Sequence, residues 1–146
     1  MSSRSIMCNA LAVVILALTP ALASAQQPPP GPSVNQIADG SYLFRTYCAA
    51  CHGASGRGDG PLAASLRRKP PNLTEISRRH NNVYPGDLVF QIIDGRQKVP
   101  GHGGPDMPVW GDAFQRSLEG GSDQAVRARI EALVTFLESI QTRETP

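Results

Sequence analysis

The chain is short of almost everything that would let it be read at once. It has three cysteines in 146 residues, and one of them, Cys8, stands just before the N-terminal apolar run. That leaves Cys48 and Cys51, too few for a disulfide framework. There is no excess of charge of one sign: 14 Lys and Arg face 12 Asp and Glu, which argues against a nucleic-acid partner. No stretch shows the strict alternation of a β-strand. No apolar run is long enough to span a bilayer, since "ALAVVILAL" from Ala10 to Leu18 counts nine residues against the roughly 20 that a span requires.

That run is informative nonetheless. Arg4 precedes it, and Pro20 and the small-residue site Ala23-Ser24-Ala25 follow it, the order of a secretory signal peptide. We therefore expect residues 1–25 to be a signal segment cleaved after Ala25, the alternative being an uncleaved anchor. Without them the chain carries 13 basic and 12 acidic residues, a net charge of +1, and Met107 is its only methionine. Residues 26–33, "QQPPPGPS", form a Pro-rich tether. The folded domain is expected over 34–146.

Within it the pattern predicts helices joined by irregular loops. A first helix, about 34–48, is capped by Ser33. A short one starts at Pro61 and must stop before Pro70-Pro71. A third, about 73–79, has Asn72 and Glu75 spaced as a capping box. A fourth, about 86–93, carries Leu88, Val89, Ile92 and Ile93 and ends at Gly95. A last helix, capped by Ser122, carries Val126, Ile130, Leu133, Leu137 and Ile140 on one apolar stripe. The Gly/Pro-rich segments 53–60 and 95–106 are loops too long for so thin an apolar inventory, unless they pack on something.

The pentapeptide Cys48-Ala49-Ala50-Cys51-His52 admits three chemistries. A dithiol switch would follow a strand, with its first thiol at a helix N-terminus; here no strand precedes and Cys48 ends a helix. A zinc site would need two more ligands, and His80 and His102 lie 22 residues apart rather than the roughly 3–5 of a finger. Covalent haem needs only what is present. Two thiols three residues apart on a helical turn reach one edge of a porphyrin, and the next histidine offers its imidazole to the iron. For the sixth ligand, Met107 in "GPDMPVWG" stands in a loop beside Pro108 rather than on a helix face, and His80 and His102 are its competitors.

With these residues in hand, the sequence resembles the class I c-type cytochromes over nearly all of 34–141. The resemblance rests on Gly40, Phe44 and Cys48 at successive four-residue steps, on Leu133 and Phe136 in the last helix, and on "PPNL" at 70–73. It implies an all-α, cytochrome c-like domain of four to five short helices and long loops, wrapped around one haem c. It implies that Gly40 lets the first and last helices cross closely, and that the Pro71 carbonyl orients His52, with Pro70 standing where the family has glycine. Trp110 is a candidate for haem packing, and Tyr84, Arg57 and Arg96 are weaker candidates for contacts to the propionates.

The implied role is that of a periplasmic single-electron carrier with a His52/Met107-ligated haem, not an enzyme. It would have redox-protein partners, no small-molecule substrate, and contact with a membrane only peripherally or through an uncleaved N-terminal segment. Docking would use the face around Cys48 and Cys51, and the near-zero net charge predicts modest electrostatic steering. Two alternatives stay open: a dedicated cytochrome subunit of a periplasmic dehydrogenase or oxidase, and a haem sensor or peroxidase with an open sixth position.

Overall fold

A computed structural model of the chain describes residues 33–96, 107–117 and 121–142. The expected signal segment, all of the tether but Ser33, and His102 lie outside the described residues, as does most of the 95–106 loop. The described residues are helical, and no strand occurs among them. Helix α1 runs Val34–Leu43, α2 Ala49–His52, α3 Ile76–Arg79, α4 Gly86–Asp94, α5 Trp110–Arg116 and α6 Asp123–Ser139. No helix among them is long and apolar enough to cross a membrane.

The expected first helix forms, with a break in its hydrogen bonding. Ser33 caps it, and Gln36 reaches back to complete a capping box. Between α1 and α2 the chain makes a wider π turn over Phe44–Cys48, where the Ala49 N–H bonds to the Phe44 carbonyl, five residues back. The extra residue re-aims everything after Phe44 relative to α1. That re-aimed part begins with Cys48.

The α1–α6 crossing is the frame of the molecule. A side chain on Gly40 would overlap the Ala132 carbonyl and come within 2.7 Å of the Phe136 Cβ, so glycine here permits two backbones to touch. One turn on, Phe44 is 1% exposed and its ring meets that of Phe136 at 5.2 Å. The stripe of α6 is buried as expected at Val126, Ile130, Leu133 and Leu137, and it takes Val89 and Ile93 of α4, Ile76 of α3 and Phe114 of α5 into one core.

Three expectations need correction. The segment from Pro61 makes only a 3-10 turn, Ala63–Ser65, which ends where Leu66 becomes extended at ψ 147°, well before Pro70-Pro71. The third helix is split into a 3-10 turn, Leu73–Glu75, and the four-residue α3; Asn72 accepts the Thr74 N–H, but Glu75 pairs with Arg78 at 2.7 Å instead of closing a capping box. Helix α5 was not expected at all. Helix α4, by contrast, ends as expected on Gly95 in the left-handed conformation, φ 66°.

Candidate functional site

Cys48 closes the π turn and precedes α2, which carries Cys51 and His52, and the loop after them is bound back onto α2. The amides of Gly58, Gly60 and Leu62 donate to the carbonyls of His52, Cys51 and Ala50 at 2.8, 3.2 and 2.9 Å. These bonds satisfy carbonyls that a helix end leaves without partners. They also explain the glycines of "GASGRGDG": a Cβ on Gly60 would come within 2.7 Å of the backbone of Ala49, Ala50 and Cys51. This loop closes on the Cys-bearing turn itself.

Both cysteines are free and partly buried. Burial, and then the charge of Cys51, push the Cys48 thiol up to about 12. A redox-active first cysteine needs the opposite, a thiol acidified by its surroundings. Among the described residues no group of three His, Cys, Asp or Glu side chains is placed to hold a metal ion; His102, which the zinc set would need, lies outside them. His80 sits in the turn after α3, its amide bonded to the Ser77 carbonyl at 2.9 Å.

His52 is the group whose surroundings ask for a partner. Burial lowers its pKa, and the Pro71 carbonyl opposes that shift. Its Nδ1 is fully buried and lacks a hydrogen bond of good geometry. Such an atom in a native fold marks a place completed by a group other than the side chains around it, or by a small adjustment onto Pro71. The Pro71 segment is itself tied down from afar. Gln141, just past α6, donates to the Leu73 carbonyl at 2.8 Å and accepts from the Ser77 amide at 2.9 Å, while the Thr142 amide donates to the Thr74 carbonyl at 2.8 Å.

Met107 is half-buried at the start of the segment that leads into α5. Trp110 of that segment does not stand alone: its ring lies 5.7 Å from that of Tyr47 and 5.5 Å from that of Phe114, and Tyr47 precedes Cys48. The methionine-bearing segment and the cysteine-bearing turn are thus joined by a cluster of three aromatic rings. Two of the weaker candidates are engaged elsewhere. Tyr84 donates its hydroxyl to the Val134 carbonyl at 3.0 Å, and Arg96 pairs with Asp94 and Asp123. Arg57 is exposed. Sequence reasoning missed Tyr47 and Phe114. Trp110, Ala113 and Phe114 do carry i, i+3, i+4 spacing, but over only two turns.

An all-helical domain built on a crossed first and last helix, with a Cys-x-x-Cys-His turn closing the first, defines a c-type cytochrome domain. Residues 35–117 match the family described as cytochrome c oxidase, cbb3-type, subunit III, and the chain belongs to that family. No curated protein matches it. The family carries haem c, transfers electrons through it and works with redox-protein partners. The residues present fit that group: two free thiols three residues apart, and beside them a histidine with a buried nitrogen that has no partner.

Proposed function

We infer that the protein is an exported single-electron carrier whose one haem is bound through Cys48 and Cys51 and ligated by His52 and Met107. The observation that carries this reading is half-buried His52, whose Nδ1 is fully buried while the Pro71 carbonyl acts on its ring. A small adjustment that lets Nδ1 donate to the Pro71 carbonyl would fix the tautomer, raise the basicity of the ring and leave the other nitrogen for the iron.

When bound, the haem would supply one-electron chemistry between ferric and ferrous iron, and ligation by the Met107 thioether would raise its potential relative to two histidines. The chain's residues do the rest. Cys48, at the end of the π turn, and Cys51, on α2, would fix the group's edge. Pro71, two residues before the Leu73 carbonyl that Gln141 holds, would orient His52. Trp110 and Tyr47, in ring contact, hold the Met107 segment against the same turn. Docking would use the surface beside the two cysteines, where the loop folded back on α2 is followed by the exposed Arg67, Arg68 and Lys69, with Arg57 exposed in the loop itself. That charge suits an acidic partner face.

Export follows from the 1–25 segment, whose A-x-A site suits cleavage and release into the periplasm. The family match supports a second reading, in which the same domain serves as a dedicated subunit of an oxidase rather than a diffusing carrier. Co-purification with a large membrane partner under mild solubilisation favours the subunit; recovery as a free monohaem protein favours the carrier. Covalent attachment is tested by haem-dependent peroxidase staining of a denaturing gel. The parent band stains, and Cys48→Ser with Cys51→Ser does not; staining retained in the double variant would end the assignment.

A further inference from the structure

Asp94 is a poor residue for its place. It ends α4, where the helix dipole disfavours negative charge, and it is 9% exposed. What holds it is Arg96, which donates to its Oδ1 through Nε at 2.9 Å and through the terminal guanidinium nitrogen at 2.8 Å. The second arm of Arg96 reaches Asp123 at the start of α6, 3.2 Å away.

The segment that carries Met107 docks on this pair. A Cβ on Gly111 would overlap the Asp94 carboxylate and stand 2.6 Å from the Arg96 Nε; one on Gly95 would stand 3.3 Å from the Val109 Cα. So the residues after Met107 lie with their backbone directly on the end of α4, and two glycines permit the approach. No charged residue is needed to end α4, since Gly95 already caps it. The pair therefore serves the segment above it.

The geometry points to the Asp94–Arg96 pair as the anchor that positions the Met107 segment, with Arg96 a positioning residue for the sixth axial ligand. This rests on the reading of Met107 as that ligand, and the test separates the two. In the haem-loaded full chain, Arg96→Gln leaves the Asp94 carboxylate without its cation and frees the docking surface. Loss of a group that orients a ligand weakens its hold by at least about tenfold. We expect amide exchange in α5 to accelerate about tenfold while α6 keeps its protection. We also expect the long-wavelength band that a methionine sulfur confers on ferric haem to weaken, and imidazole to compete about tenfold better for the iron. Asp123→Asn removes the charge behind the exposed arm while its amide oxygen still accepts from Arg96 and from Gln115 of α5, and it leaves all three readouts at parent values.

A folded Arg96→Gln with unchanged exchange, band and imidazole affinity overturns the anchor. If the parent itself lacks the band while Arg96→Gln accelerates exchange in α5, the anchor stands and the Met107 ligation falls. Should Arg96→Gln fail to fold, Arg96→Lys carries the test. It keeps a cation at Asp94 but loses the forked geometry, so a smaller acceleration in α5 supports the anchor and none overturns it.

Discussion

Gly40 and Ala132 meet backbone to backbone where α1 crosses α6, with no room between them for a single methyl group. Everything that places Cys48 follows from this contact, because Phe44 and the π turn come directly after it. Gly40→Ala improves the helix propensity of α1 by about 1 kcal/mol. Overpacking nevertheless costs about 1–3 kcal/mol, and the obstacle here is a carbonyl that cannot swing away. We expect a net loss of about 1–2 kcal/mol in denaturant unfolding of the haem-loaded protein, with Gly40→Val worse.

Gln141 joins the end of α6 to the segment that holds Pro71, and it does so with both ends of its amide. Gln141→Ala leaves the Ser77 amide and Leu73 carbonyl without their partner. The cost should be about 1–3 kcal/mol. Because Pro71 acts on His52, the variant should also shift the reduction potential, measured by spectroelectrochemistry. A stability loss with an unchanged potential would show that Gln141 holds the fold and not the ligand.

Tyr84 gives the pH dependence its sign. Burial, then Glu138, raise its pKa above the ordinary 10.0. A phenol that must stay protonated when folded stabilises the protein fully below the ordinary tyrosine value, and that contribution is lost as pH rises towards the folded value. The Tyr84 hydroxyl bond to Val134 adds about 1 kcal/mol. Parent and Tyr84→Phe should therefore differ in unfolding free energy near neutral pH, and the difference should shrink as pH climbs past 10.0. A gap that widens with pH would contradict the assignment.

The run Arg67-Arg68-Lys69 bears on docking. Whole-chain charge is +2, which conceals a segment from Arg57 to Lys69 with four cations and one anion, Asp59. Reversing Arg67 and Arg68 to glutamate should slow electron exchange with an acidic partner and weaken its dependence on ionic strength, followed by stopped-flow. Unchanged salt dependence would move the docking face elsewhere.

The parts of this molecule that could be read in advance are those written in consecutive letters. The Cys48–His52 pentapeptide, the stripe of α6, the Ser33 and Ser122 caps and the Gly95 stop each depend on neighbours within a few residues. Gly40 and Phe44 were legible through a resemblance, and the crossing bears them out. The π turn was not, since a bulge is set by how α1 must lie on α6 rather than by the letters Phe44–Cys48. Helix α5 is too short for periodicity to distinguish it from a loop after Pro108. The Tyr47–Trp110 contact and the Asp94–Arg96–Asp123 bridge join residues far apart in the chain, and nothing local announces them. Arg96 was expected at a propionate because its fixed partners could not be seen.

The ferric protein at neutral pH offers the most direct test of His52/Met107 ligation. The account predicts the long-wavelength methionine band in the parent, its loss in Met107→Ala, and no carbon monoxide binding to the reduced parent. A parent that lacks the band and takes up carbon monoxide readily would contradict it, and would make the protein a haem sensor or peroxidase instead.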